Sequence, residues 1–214
     1  MQRTKLFLIR HGETESNSEF RYKGQEESPL SKQGITEAKR LAKALKIVPF
    51  KAIYCSTLSR SIDTAKAIAK FHKGLTPMAE EGLMERYYGD FENKTFNELK
   101  KEYPKLYKQW LYCPNQAPIP NAETLEQLQA RGIKAVNKII KKHAGETVCI
   151  VAHGGINRAI LFHFLGLTLD NFFRIKQDNS CLNIIEVDER GPMVALINST
   201  AHLGEKRINF EGRY

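Results

Sequence analysis

The chain has 214 residues, 42% of them hydrophobic and 27% charged. A chain of that length buries about 70% of the surface it exposes when unfolded, and this composition excludes a collagen-like fibre, a disordered tail and a membrane protein. With 33 basic against 24 acidic side chains the net charge is +9, which draws anions of any kind, phosphorylated metabolites and nucleic acid alike.

The first predicted element is an apolar strand, Lys5 to Ile9, followed by the polar loop Arg10-His11-Gly12-Glu13-Thr14. Only four apolar residues separate Lys5 from Arg10, too few for a secretory signal, so the expected location is the cytoplasm. Ser31 caps a helix whose apolar stripe is Ile35, Ala38, Leu41, Ala42 and Leu45. A second strand, Ala52 to Cys55, runs into Ser56 to Arg60. A helix with Ile62, Ala65, Ile68 and Ala69 inward comes next. A short extended piece around Met78 leads to a loop from Gly82 to Asn93. Helical stretches cover Phe96 to Leu111 with a break at Pro104, and the three prolines between Cys113 and Pro120 make that segment irregular.

Glu123 to His143 is predicted as a long helix with Leu125, Leu128, Ile133, Val136, Ile139 and Ile140 inward. The strand Thr147 to Ala152 closes in the loop His153-Gly154-Gly155, and a helix follows from Ile156 to Leu165. Two last strands, Cys181 to Val187 and Met193 to Ile197, flank a turn. Alternating strands and helices predict an α/β fold with a mainly parallel sheet and helices on both faces. No repeat or linker divides the chain. It is expected to be a single domain over 1–214, with a helical, Pro-rich insertion at about 94–122. Four cysteines, at 55, 113, 149 and 181, form no CxxC pair and read as reduced thiols.

In open parallel sheets ligands bind beyond the carboxyl ends of the strands. Three predicted strands end there in Arg10-His11-Gly12, in Ser56 to Arg60 and in His153-Gly154-Gly155. Brought together they would form a cationic cup suited to a phosphate dianion, with guanidinium forks and with glycines that admit backbone N–H groups. An imidazole held neutral by neighbouring arginines is a competent nucleophile toward phosphorus. The leaving alkoxide needs a proton, for which Glu85 is the candidate. This scheme calls for no metal and no cofactor.

The run Leu8 to Thr14 resembles the signature of the histidine phosphatase superfamily, which includes cofactor-dependent phosphoglycerate mutases and many small-molecule phosphatases. The resemblance extends to Asn17, to Tyr22-Lys23-Gly24-Gln25, to Ser56–Ala65 through Arg60, to Glu85, and to Val151–Gly155 with Arg158. It implies a phosphoglycerate mutase-like three-layer sandwich and a phosphohistidine on His11. Arg10, Arg60 and His153 would form the phosphate pocket, and Glu85 would act as acid and then as base toward water. Asn17, Lys23, Gly24, Arg86, Tyr88 and Gly154 would contact phosphate or substrate. Dimers are common in such enzymes, so a homodimer is one expectation, although no interface is marked in the chain.

Within the family the signals divide. Glu85-Arg86-Tyr87-Tyr88-Gly89 is similar to the mutase pattern, whereas Gly89-Asp90-Phe91-Glu92 is nearer the phosphatase one. No arginine lies between Arg86 and Arg131, and the lysines at 94, 100, 101, 105 and 108 lack the bidentate fork. The expectation is a metal-independent phosphatase of a small phosphorylated metabolite, of phosphoserine, phosphoglycerate or α-ribazole phosphate type. Arg86 is the candidate for a substrate carboxylate, and Tyr22, Tyr88 and Trp110 are candidates for aromatic recognition. A cofactor-dependent mutase is the alternative. A nucleic-acid-binding protein on a phosphatase scaffold is an alternative of another class, drawn from Lys134, Lys138, Lys141 and Lys142. A solvated helix face explains those lysines better, so neither a nucleic acid nor a membrane is an expected partner.

Overall fold

A computed structural model describes residues 3–15 and 21–204. Its centre is a six-stranded sheet in the order β3-β2-β4-β1-β5-β6. The strands are β1 (Thr4–Arg10), β2 (Ala52–Cys55), β3 (Pro77–Ala79), β4 (Thr147–Ala152), β5 (Leu182–Asp188) and β6 (Gly191–Ser199). The first four in space run parallel, while β5 is antiparallel to both β1 and β6. A mostly parallel sheet between helices is therefore the architecture, as the alternation of elements predicts.

The faces follow from the period of two along each strand. Leu6, Leu8, Tyr54, Val148 and Ile150 turn to one side. There they meet α5 (Leu125–Lys142) and α6 (Gly154–Phe164), and this core extends through α3 (Phe96–Glu102) and α4 (Pro104–Tyr112). Ile9, Ile53, Cys55, Cys149 and Val151 turn to the other side, against α1 (Lys32–Leu45) and α2 (Ser59–Ala69). Fully buried aliphatic side chains of this kind contribute about 1.5–3 kcal/mol each. Cys55, Cys149 and Cys181 are buried and Cys113 is exposed; all four are free thiols.

Ser31 caps α1 through the Gly34 N–H at 3.0 Å. The stripe of α1 differs from expectation at one position. Ile35 is exposed, and its place on the buried face is taken by Glu37, 1% exposed. That carboxylate accepts from the Glu13 N–H at 3.1 Å and stands 3.3 Å from the Ser180 hydroxyl, so a polar tie between loops outweighs an apolar contact. Pro104 begins α4 rather than kinking one long helix, since the first helical position needs no N–H. Thr124 caps α5 in a capping box with Gln127. Among the described residues no helix is long and apolar enough to cross a membrane.

Candidate active site

The register of the sheet brings the loaded loops together. Arg10 lies opposite Ala152 and Cys55 opposite Val151, so His11, Ser56 and His153 leave neighbouring parallel strands at one edge. The His11 N–H donates to the Ala152 carbonyl at 3.0 Å and the Ser56 N–H to that of Val151 at 3.1 Å, extending the ladder one residue into the loops. The His11 and His153 rings lie 5.0 Å apart. Between these loops opens a cleft of about 180 Å³, lined by Arg10, His11, Thr14, Arg21, Tyr22, Lys23, Gly24, Arg60, Glu85, Tyr88, Gly154, Gly155 and Arg158.

His11 is held in one tautomer. Its Nδ1 lies 2.6 Å from the Gly12 carbonyl oxygen, which can only accept, so the proton is on Nδ1 and the lone pair on Nε2. Burial, then the charges of Arg60 and Arg10, push its pKa well below the usual histidine value. Desolvation thus outweighs the guanidinium effect that sequence reasoning put first. His153 is completely buried and does not line the cleft. Arg60 Nε donates to its Nδ1 at 3.3 Å, so its proton is on Nε2, 2.6 Å from the Ser56 hydroxyl. Burial, then Arg60, His11 and Arg10, depress its pKa well below normal too.

Arg60 is fixed by backbone. It donates to the carbonyls of Glu26 at 2.8 Å and Gly24 at 2.7 Å, which ties the loop at 24–26 to the start of α2. Arg10 donates to the Gln177 carbonyl at 2.6 Å, and its buried Nε has no partner among the described residues. Gly24 has φ +53°, and a Cβ there would collide with the Glu92 carboxylate and the Arg86 carbonyl oxygen. That carboxylate accepts from the N–H groups of Gln25 at 3.1 Å and Tyr88 at 3.0 Å, joining two walls of the cleft.

The helix α6 begins at Gly154, two residues earlier than predicted. The glycine pair read as loop is its first turn, and the N–H groups so freed have a use. Glu85 accepts from Gly155 at 2.9 Å, from Ile156 at 3.1 Å and from the Arg86 N–H at 2.8 Å. A Cβ at residue 155 would strike that carboxylate. A carboxylate at a helix N-terminus is in a favourable field.

The other expected substrate contacts divide. Lys23, Gly24, Tyr88 and Gly154 line the cleft. Arg86 does not: its guanidinium is 2% exposed, stacked 4.5 Å from the Trp110 ring centre and 5.3 Å from that of Tyr88, with Nε donating to the Glu123 carbonyl at 2.8 Å. Its next-door neighbour in sequence, Glu85, faces the site, and the alternation turns Arg86 inward. Trp110 is likewise buried and donates to the Tyr22 hydroxyl at 3.0 Å. Asn17 lies outside the described residues. Sequence reasoning missed Arg21 and Arg158 as cleft residues and Ser56 as the partner of His153. For Arg158 the signal is its place in the resemblance beside Val151–Gly155, to which no contact is assigned. Among the described residues no three His, Cys, Asp or Glu side chains converge as a metal site requires.

Comparison with known proteins agrees with this geometry. The phosphoserine phosphatase 1 of Hydrogenobacter thermophilus is 32% identical over 201 residues, 94% of this chain and 95% of that one. A metal-independent phosphoserine phosphatase of Arabidopsis thaliana is 33% identical over 205 residues, 94% of this chain and 83% of the relative. The solved structure of Bacillus stearothermophilus YhfR superposes with a TM-score of 0.89 at 33% identity, covering 94% of this chain and 99% of that one. Residues 6–200 match the description of the histidine phosphatase superfamily, branch 1, and the chain belongs to that superfamily.

Proposed function

We propose that the protein is a metal-independent phosphomonoesterase that hydrolyses a small phosphorylated metabolite through a phosphohistidine on His11. The observation that carries this is the His11 ring, neutral, with Nδ1 tied to the Gly12 carbonyl and Nε2 left as nucleophile in a cleft lined by Arg10 and Arg60. The two guanidinium groups supply the positive charge that phosphoryl oxygens need in transfer. The Gly154 backbone at the N-terminus of α6 adds to it. Kinship with phosphatases, one described as metal-independent, supports the same reading.

In the first step Nε2 of His11 attacks phosphorus, the ester P–O bond breaks, and Glu85 gives the alkoxide its proton. In the second, water attacks the phosphohistidine, Glu85 takes the water proton, and the P–N bond breaks to release phosphate. His153 does not line the cleft; it orients Arg60 from behind and adds a neutral ring beside His11. Three N–H donors hold the Glu85 carboxyl group at the cleft wall, where both proton transfers take place. With Arg86 behind the wall, the feature that spoke most for a mutase does not reach the cleft.

The test is phosphate release from phosphoserine, 3-phosphoglycerate, α-ribazole phosphate and p-nitrophenyl phosphate, with and without chelator. A parallel assay follows conversion of 3- to 2-phosphoglycerate in the presence of the bisphosphate. Hydrolysis insensitive to chelator and without isomerisation is expected; isomerisation with little release would make the protein a mutase. Glu85→Gln should slow the alkyl esters by about 10²- to 10³-fold and p-nitrophenyl phosphate far less, because nitrophenolate leaves without a proton. Equal losses on both would assign the proton to another group.

A further inference from the structure

The cleft holds more positive charge than one phosphate uses. Arg10, Arg21, Lys23, Arg60 and Arg158 line it, with Glu85 as the only carboxylate among the described residues. Of the three cations farther from His11 in sequence motif, two have anionic neighbours. Arg21 stands 3.3 Å from Glu98, and Lys23 stands 3.8 Å from Glu26 and donates to the Asn93 side-chain oxygen at 2.8 Å. Arg158 has no carboxylate of the described residues within ion-pairing distance.

Arg158 is nonetheless fixed. Its Nε donates to the Ile175 carbonyl at 2.8 Å, and its guanidinium carbon lies 5.6 and 5.7 Å from the ring centres of Phe172 and Phe173. These contacts set the plane of the group and engage one of its five N–H bonds. The remaining edge lines the cleft. Burial, then the neighbouring Arg10 charge, acts against the guanidinium's charge, while Tyr88 and Glu85 favour it without pairing with it directly. A buried cation with no carboxylate in direct contact gains from an anion that comes to it.

The helix sets the spacing. Arg158 lies four residues beyond Gly154, hence on the same face of α6 and about 6 Å along its axis. Helical side chains lean toward the N-terminus, which directs this one back toward the cup. A Cβ on Gly154 would stand 3.4 Å from Arg10 Nε, so the phosphate end of the cleft is adjacent. Two anion sites one helical turn apart fit the two ends of a three-carbon ester.

We propose that Arg158 is a second anion subsite, which takes a substrate carboxylate through its free N–H edge while the phosphate lies against His11. The preferred substrates are then short phosphomonoesters with a carboxylate a few bonds from the ester oxygen, rather than neutral nucleoside-like esters. This assignment rests on the phosphatase reading above and narrows it. It also moves the carboxylate contact from Arg86, where the sequence pattern puts it, to a residue that reaches the cleft.

The test compares esters that differ only in this group. 3-Phosphoglycerate and glycerol 3-phosphate share phosphate, ester carbon and hydroxyl, and differ in carboxylate against hydroxymethyl. Phosphoserine and phosphoethanolamine form a second pair. The wild-type protein should prefer the carboxylated member of at least one pair by about 10-fold or more in kcat/KM, as expected for a charge-assisted pair. Arg158→Gln should bring that ratio to within about twofold of one, and Arg158→Lys should restore part of it, because a point charge lacks the fork.

A merely structural Arg158 would lower both members of a pair together and leave the ratio intact, which would overturn the assignment. A wild-type protein indifferent to the carboxylate would overturn it without any variant, even if Arg158→Gln failed to fold. In both cases hydrolysis of p-nitrophenyl phosphate would leave the phosphatase reading standing. Absence of that hydrolysis would overturn both.

Discussion

Arg60 and Arg86 are both buried guanidinium groups beside the same cleft, and they belong to regions built in different ways. The cup around Arg60 is made of backbone. Its guanidinium meets the carbonyls of Gly24 and Glu26, His11 is tied to the Gly12 carbonyl, and Glu85 meets three peptide N–H groups. The wall around Arg86 is made of rings. Trp110 and Tyr88, themselves edge to face with centres 6.1 Å apart, both pack against it, Tyr22 meets Tyr88 edge-on with centres 5.0 Å apart, and Phe173 meets Trp110 at the same spacing. A backbone cage fixes charges to within a hydrogen bond's tolerance and suits chemistry. A ring cage fixes shape and leaves one terminal nitrogen of Arg86 without a partner among the described residues. Reaction should therefore fail when the cup is altered, and stability should fail when the wall is.

The largest effect is expected at His11. His11→Ala removes the nucleophile and should lower kcat by about 10⁴-fold or more, with no phosphate retained on the protein after acid-free quenching. A variant that still turned over at the wild-type rate would mean that another group attacks phosphorus. Arg60→Ala follows, because it removes a charge from the phosphoryl oxygens and leaves the buried Gly24 carbonyl and the part-buried Glu26 carbonyl without their donor. A loss of about 10³-fold in kcat/KM and about 2–4 kcal/mol of stability is expected. Loss of activity without loss of stability would show that the loop at 24–26 holds itself.

The comparison is sharpest at Arg86. Arg86→Met keeps an apolar side chain beside Trp110 and Tyr88 but removes the cation over the rings and the bond to the Glu123 carbonyl. Stability should fall by about 1–3 kcal/mol while kcat/KM stays within about threefold. If instead kcat/KM collapses with the melting temperature unchanged, the wall is part of the reaction, and a mutase-like role for Arg86 returns.

The same division explains what was legible in the sequence. Arg10, His11, Arg60 and His153 stand within a few residues of strands whose apolar runs are unmistakable, so a general rule about strand ends places them without knowledge of any partner. The strand Ala52–Cys55 coincides with its predicted bounds, and Ser31 caps its helix as read. Ring contacts such as Arg86 on Trp110 join residues 24 positions apart through no periodic pattern, and nothing in the local sequence tells that Glu85 faces out and Arg86 in. Glycine is a poor helix former, so the local sequence places Gly154 and Gly155 in a loop; the close approach of the Glu85 carboxylate to Gly155 overrides that propensity. Glu37 interrupts an apolar stripe for an equally non-local reason, since the N–H of Glu13 and the Ser180 hydroxyl that it serves come from two other loops.

The effect with the least bearing on activity is the pH dependence of stability, and it again separates cup from wall. His11 and His153 are both depressed well below their unfolded value of 6.5, by burial first and then by the arginines. As pH falls through 6.5, the unfolded chain takes up protons that the folded cup refuses, so the stabilising contribution present above 6.5 is lost progressively until the folded pKa values are reached. Two such groups give a slope approaching about two protons, or about 2.7 kcal/mol per pH unit at its steepest. His202 and His72 are lowered in the same sense, by burial first, and add to it. Denaturant unfolding between pH 7 and 5.5 measures this slope. His11→Asn should flatten it by about one proton, because asparagine does not titrate, whereas Arg86→Met should shift the whole curve down without changing its slope. A slope unchanged by His11→Asn would mean that the His11 ring accepts its proton in the folded cup, which burial and the guanidinium pair argue against.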